Sequence, residues 1–281
     1  SDPSEFVYFT YHGNKRKNGL TSAEVNKVKE FQKSGILVSN NTVSHNFVSI
    51  IGRLFLDKQL NMIRGLSLDK LQPNPILVAT LKLDTPEKII RFYVLQAVSR
   101  SIVTSMGFAV QELLLYSGPD VYEGKDFAGV NGLKWDLVKI AADKVVTWIE
   151  VKSGPNDLDK GQVLNYSRMI ESVEAKGEKG YIGETYGKRE SATVTHGLYK
   201  QYLPNWEVRT LIGRELWDFI SDNENYHEEL INILQKSAEK VLMTKDIFQE
   251  IDEAVNRILE KFNEKYNNKP DPLKAYMDDL W

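Results

Sequence analysis

The chain has no cysteine in its 281 residues. A disulfide framework and any cysteine-ligated zinc or iron–sulfur centre are therefore excluded. Histidine is nearly as scarce. His12, His45, His196 and His227 are the four present, and none shares HExxH or HxH spacing with another. A metal would have to be held by carboxylates, which favours hard ions such as Mg2+. No apolar run approaches the ~18 residues of a membrane helix, so no membrane partner is expected. No signal-peptide pattern is present, and with no thiol to oxidise the expected location is cytoplasmic. Charged residues at 27% and hydrophobic residues at 42% leave enough apolar chain for a core, which rules out a disordered or collagen-like chain.

The net charge of −3 is unevenly spread. Residues 1–100 carry 14 Lys/Arg against 8 Asp/Glu, and residues 221–281 carry 8 against 14, so a basic N-terminal part faces an acidic C-terminal one. Such charges usually solvate helices, and the overall balance does not argue for nucleic acid. Lys15-Arg16-Lys17 reads as solvated charge or as a non-specific phosphate contact.

Ser1-Asp2-Pro3-Ser4-Glu5-Phe6 resembles a cloning scar and is set apart as residues 1–6. Residues 7–85 read as a helical N-terminal region. Thr21-Ser22-Ala23-Glu24 opens a helix to Lys33, and Ser44 to Arg64 carries apolar residues at helical spacing, with His45 as a solvated or capping residue. Thr85-Pro86-Glu87 starts a long apolar helix, with a break expected near Gly107. Leu133–Ile140 and Val145–Lys152 then read as a β-hairpin. A helix from Asp159 to Lys176 follows, then strands over Gly180–Tyr186 and Glu207–Ile212 and a short helix over Arg214–Ile220. This is a mixed α/β sandwich with helices on both faces, over residues 86–221. Residues 222–281 read as helical, a candidate dimerisation element.

The chemistry lies in Lys134-Trp135-Asp136-Leu137 and Ile149-Glu150-Val151-Lys152-Ser153-Gly154. Glu150 and Lys152 are two apart on one strand, so they share a sheet face. The hairpin can bring Asp136 beside them. Two carboxylates and an ammonium on one patch suit phosphodiester hydrolysis. Asp136, Glu150 and the Val151 carbonyl can hold Mg2+, and Lys152 can orient or help deprotonate a water. The plain alternative is a surface hairpin with ordinary charges. The apolar run Val145, Val146, Trp148, Ile149, Val151 speaks against it, because charges ending a buried strand are costly unless paired or metal-bound.

The set Asp136, Glu150-Val151-Lys152 resembles the PD-(D/E)xK nuclease motif, with Trp135 where proline is usual. The string Ile149 to Asn156 resembles type II restriction endonucleases, most nearly the TdeIII-like group, which cuts interrupted GC-rich palindromes such as GGNCC. Asn74-Pro75, Thr104-Ser105-Met106-Gly107 with Glu112, Tyr186-Gly187 and Gly213-Arg214-Glu215-Leu216-Trp217 extend the resemblance over residues 74–235. It implies a mixed five-stranded sheet flanked by helices, with helical additions at both ends. It implies Mg2+-dependent cleavage of double-stranded DNA to 5′-phosphates by a homodimer, and a cognate DNA methyltransferase in the cell. Glu112 would be a third acidic contributor, its alternative being a helix-surface charge. Asn156 and Asp157 read as turn and capping residues, or as a turn approaching the DNA backbone. Lys188, Arg189, His196 and Lys200 form a basic stretch after a strand, either solvated or contacting DNA, with Arg189 as a guanine reader. Other readings are a repair, structure-specific or modification-dependent nuclease of the same superfamily, a non-catalytic DNA-binding protein, and an unrelated α/β protein whose hairpin matches by chance.

Overall fold

The structure is a computed structural model that describes residues 45–126, 134–141 and 143–281, with isolated helical positions at 23, 26, 30 and 33. The capping box at Thr21 and the Lys15-Arg16-Lys17 cluster lie outside the described residues. In chain order the elements are α1 (His45–Arg64), α2 (Leu68–Leu71), α3 (Pro75–Thr80), α4 (Pro86–Tyr116), β1 (Val121–Glu123), β2 (Leu137–Ile140), β3 (Val146–Lys152), α5 (Lys160–Glu174), β4 (Lys179–Glu184), α6 (Val194–Tyr202), α7 (Trp206–Arg209), β5 (Thr210–Ile212), α8 (Arg214–Ser221), α9 (Tyr226–Leu242), α10 (Ile247–Tyr266) and α11 (Pro272–Asp278). They divide into two compact units, one of residues 1–52 and 107–237, the other of residues 53–106 and 238–281.

The first unit holds a five-stranded sheet in the order β1-β2-β3-β4-β5. β1, β2 and β3 run antiparallel, and β4 and β5 join parallel. The parallel step needs a crossover, which α5 supplies. Asp159 caps α5 in a reciprocal capping box with Gln162. Val163, Ile170 and Val173 of α5 then pack with Val138, Trp148, Ile182 and Ile212 of the sheet. On the other face Tyr181 meets Phe219 of α8 at 5.7 Å. This is the mixed five-stranded α/β sheet with helices on both faces that the sequence implied.

Four local readings change. β1 was not foreseen, because Val121–Glu123 is three residues long and carries no alternating run. The break at Gly107 does not occur: α4 runs unbroken, since one glycine costs a helix only about 1 kcal/mol and Val110, Leu113 and Leu114 beyond it are buried. The stretch read as a loop after β4 contains α6, whose N-terminus Thr193 caps through its side chain. The strand expected from Glu207 begins only at Thr210, because α7 takes the preceding turn.

The second unit is helical. Ile89, Ile90, Val94, Ile251, Val255 and Phe262 are core residues there. Glu250, 4% exposed, is paired by Arg64 at 2.6 and 3.2 Å. No described helix is long and apolar enough to cross a membrane.

The turn between α4 and β1 brings Gly118 against the backbone of α8. A Cβ on Gly118 would lie 1.7 Å from the Ile220 carbonyl oxygen, a backbone atom that cannot step aside. Gly118→Ala should cost at least about 3 kcal/mol by overpacking. Thermal denaturation checks this, and an unchanged melting temperature would show that α8 can shift freely.

Candidate active site

The β2–β3 pairing sets the site. Leu137 pairs with Ile149 and Val138 with Trp148, so Asp136, one residue before β2, stands opposite Glu150. Its carboxylate accepts the Val151 amide at 2.9 Å. Trp135, in the place of the usual proline, is buried in the cluster under α5. Glu150 and Lys152 share the face of Trp148 by strand alternation. That face is covered by α5, and Tyr166 of α5 reaches both groups. Its hydroxyl donates to Glu150 at 3.2 Å, and the Lys152 ammonium lies 5.0 Å from the centre of its ring. Lys152 Nζ stands 3.4 Å from Glu150, with 18% and 13% of the two side chains exposed.

Burial pushes the Asp136 carboxyl above its ordinary value, against the Val151 hydrogen bond and the Lys152 charge. Burial and then the charge of Asp136 raise Glu150 further, to about 7, despite Lys152 and Tyr166. For Lys152, burial acts downward, but Tyr166 and the charge of Glu150 outweigh it and hold the ammonium charged. Burial likewise raises the Tyr166 phenol. The site is thus an under-neutralised pair of half-buried carboxylates beside one fixed cation. Its donors are hard oxygens, two carboxylates and a strand carbonyl, which is the set Mg2+ takes while keeping several waters. The residues present fit that ion.

Glu112 lines a cavity of about 420 Å³ that Asp136 also lines, with Gln111, Glu123 and Lys125 around it. Among the described residues no three His, Asp or Glu side chains gather closely enough to hold a metal. Glu112 therefore borders the site without closing a three-carboxylate shell.

The remaining residues are spread. Asn156 and Asp157 are exposed, and Asp157 accepts the Gly154 amide at 3.0 Å as a turn residue. Lys188 is exposed. Lys200 is exposed, 5.8 Å from the Trp206 ring centre. Arg189 is engaged: it donates to Glu215 at 2.9 Å and twice to Thr210 at 2.9 Å, and it lies 5.3 Å from the Trp206 ring centre. His196 is 1% exposed and faces Glu184, itself 0% exposed.

Two residues escaped the sequence reading. Tyr166 sits at helical spacing with Val163, Ile170 and Val173, and so reads as plain core. Glu184 carried a weaker signal, a lone carboxylate inside the strand expected over Gly180–Tyr186; β4 ends at Glu184 instead.

A search among curated proteins finds no match to this chain. A family model described as type II restriction endonuclease EcoO109I matches residues 41–242. That span covers more than two thirds of the chain and takes in all five strands and every residue of the Asp136 site. The chain belongs to the type II restriction endonuclease EcoO109I family.

Proposed function

We propose that the protein is a site-specific, Mg2+-dependent endonuclease that hydrolyses double-stranded DNA and leaves 5′-phosphates. One observation carries this reading: Asp136 and Glu150 stand opposite each other across β2 and β3 and Lys152 follows two residues on along the same face, with the carboxylates short of positive charge. Asp136, Glu150 and the Val151 carbonyl would hold the metal. When bound, Mg2+ would polarise the phosphate and lower the pKa of a bound water. The Val151 amide keeps Asp136 from turning away. Lys152, held charged between Glu150 and Tyr166, offers hydrogen bonds to an attacking water or a phosphate oxygen rather than a lone pair to take a proton. Glu112, which lines the same cavity as Asp136, would add acidic charge beside the metal without joining its shell.

The finer parts of the proposal rest on the family and on the string Ile149–Asn156. They are an interrupted GC-rich palindrome as the site, a homodimer with residues 222–281 as its contact element, and a cognate methyltransferase. A palindrome read by a two-fold dimer places one site on each strand. Exposed Lys188 and Lys200, with Asn156 and Asp157 at the turn after β3, are the proposed backbone contacts.

Glu150→Gln should abolish cleavage while keeping DNA binding in Ca2+. It should also raise the melting temperature of the metal-free protein at about pH 8, because it removes one of two buried like charges. A variant that still cuts, or that melts lower, would contradict this placement of the charges.

Proton and metal compete for Glu150. Its carboxyl is raised to about 7. Below that value the proton is held, and above it the carboxylate is free. The Mg2+ concentration for half-maximal cleavage should rise as pH falls below about 7, by up to about tenfold per unit for one displaced proton. A pH-independent requirement would remove Glu150 from the metal site.

Lys188→Ala should weaken binding to cognate and scrambled duplex alike and lower the salt slope by about 1. Arg189→Ala should instead lower stability by about 1–2 kcal/mol, since Glu215 and Thr210 lose their partner. Affinity titrations on both duplexes and a thermal melt separate the two. Selective loss of cognate binding in Arg189→Ala would make Arg189 a base reader.

A further inference from the structure

A second polar cluster lies on the same sheet face as Glu150 and Lys152. Glu184 closes β4, and its rung partner on β3 is Lys152. Partners on a parallel rung point to one face, so the Glu184 carboxylate lies on the Lys152 side. It is fully buried. His196 Nε2 stands 2.8 and 3.1 Å from its two oxygens, and Tyr199 donates to it at 3.2 Å.

The other imidazole nitrogen decides the protonation. His196 Nδ1 lies 2.9 Å from the Ser191 carbonyl oxygen, which can only accept. Nδ1 therefore carries hydrogen. Nε2 then faces a carboxylate, and one further proton must lie between them. The pair is an imidazolium with a carboxylate, or a neutral imidazole with a carboxylic acid. In either form it is neutral and shares one proton. The other groups around the pair are the Trp206 ring at 6.3 Å, Arg189, whose charge feels Glu184, and Tyr166 and Asp157, which act on Tyr199.

The cluster is fastened to the end of β3. The Thr185 amide, next to Glu184, donates to the Lys152 carbonyl at 3.0 Å. The Thr185 hydroxyl donates to the Ser153 carbonyl at 2.5 Å. The Glu184 carbonyl accepts the Gly213 amide at 2.9 Å. Where Glu184 sits thus sets where β3 ends. We propose that His196, acting through Glu184, is a positioning residue that holds the end of β3 and Lys152 in place for the chemistry. This rests on the hydrolysis reading above, and it assigns His196 a role inside the fold rather than in DNA contact.

The test uses the full chain with His196→Gln, Glu184→Gln and the double variant. In His196→Gln, kcat should fall roughly ten- to hundredfold, the cost of a small misplacement of a reacting group. KM and Ca2+-supported DNA affinity should stay unchanged. The double variant should lose no more kcat than Glu184→Gln alone, because His196 acts only through Glu184. Hydrogen exchange at the Thr185 amide should quicken in His196→Gln, while amides of α10 keep their rates. If DNA affinity falls with kcat, His196 is a DNA contact and the proposal fails. It fails too if kcat and Thr185 exchange are unchanged while the melting temperature drops. Imidazole nitrogen NMR of the unsubstituted protein needs no variant to fold: an unprotonated Nδ1 near neutral pH overturns the shared-proton pair. If the unsubstituted protein cuts no DNA, the nuclease reading falls by itself, and Thr185 exchange still decides whether the pair holds Lys152.

Discussion

The hydrogen bond from the Val151 amide to the Asp136 carboxylate joins the chain's two informative segments. Asp136 precedes β2 and Val151 lies on β3, so this contact closes the hairpin at the end where the chemistry gathers. It also sets the electrostatics. By pinning Asp136 opposite Glu150 it forces two carboxylates together where each is half-buried and only partly solvated. One of them then holds its proton near neutrality. A cation relieves a strain that the protein's own residues leave in place. Lys152 neutralises part of it, and Tyr166 holds Lys152 where it can. A site of this kind is bound to be a cost to the free protein, as buried charge without full compensation generally is.

Much of this was legible without coordinates. Asp136, Glu150 and Lys152 announced themselves because charge at the end of an otherwise apolar strand needs a reason. Spacing of two put Glu150 and Lys152 on one face, and a short hairpin put Asp136 near them. What stayed hidden was hidden for physical reasons. Tyr166 occupies a core position of α5 and uses its ring there, and only its hydroxyl serves the site. A helical period cannot distinguish that from Val163 or Ile170. Arg189 and His196 looked like a basic stretch open to solvent, because sequence adjacency says nothing about Glu215, twenty-six residues on, or about the back side of β4. Their polar groups are taken up inside the fold. Glu184 carried only the weaker signal of a lone carboxylate inside an expected strand.

The residues that stay exposed around the site divide differently from what a charge count suggests. Of the four Lys, Arg and His residues between β4 and the end of α6, Lys188 and Lys200 are exposed while Arg189 and His196 are not. Lysine stays exposed cheaply because its stem packs and its head stays solvated. Arginine's planar fork is suited to the bidentate grip on Glu215 that anchors the start of α8. The chain between β4 and α6 is held at both ends, by Arg189 to Thr210 and Glu215 and by the Ser191 carbonyl to His196. Its lysine is therefore presented from a braced segment.

Register makes the two polar clusters interdependent. Side chains on a strand alternate with a period of two, so a slip of one residue between β3 and β4 would reverse every face. It would turn Glu150 and Lys152 away from Tyr166 and bring Ile149 and Val151 into their place. The same slip would carry Lys152 off the Glu184 rung. The apolar half of the pattern resists this, because Trp148 and Ile182 pack under α5 only in the observed register. The polar half resists it through Thr185, whose amide and hydroxyl are matched to the carbonyls of Lys152 and Ser153. Hydrophobic packing alone would tolerate small shifts along the strand. The paired hydrogen bonds at its end do not, and they lie where an error of one rung would remove the chemistry.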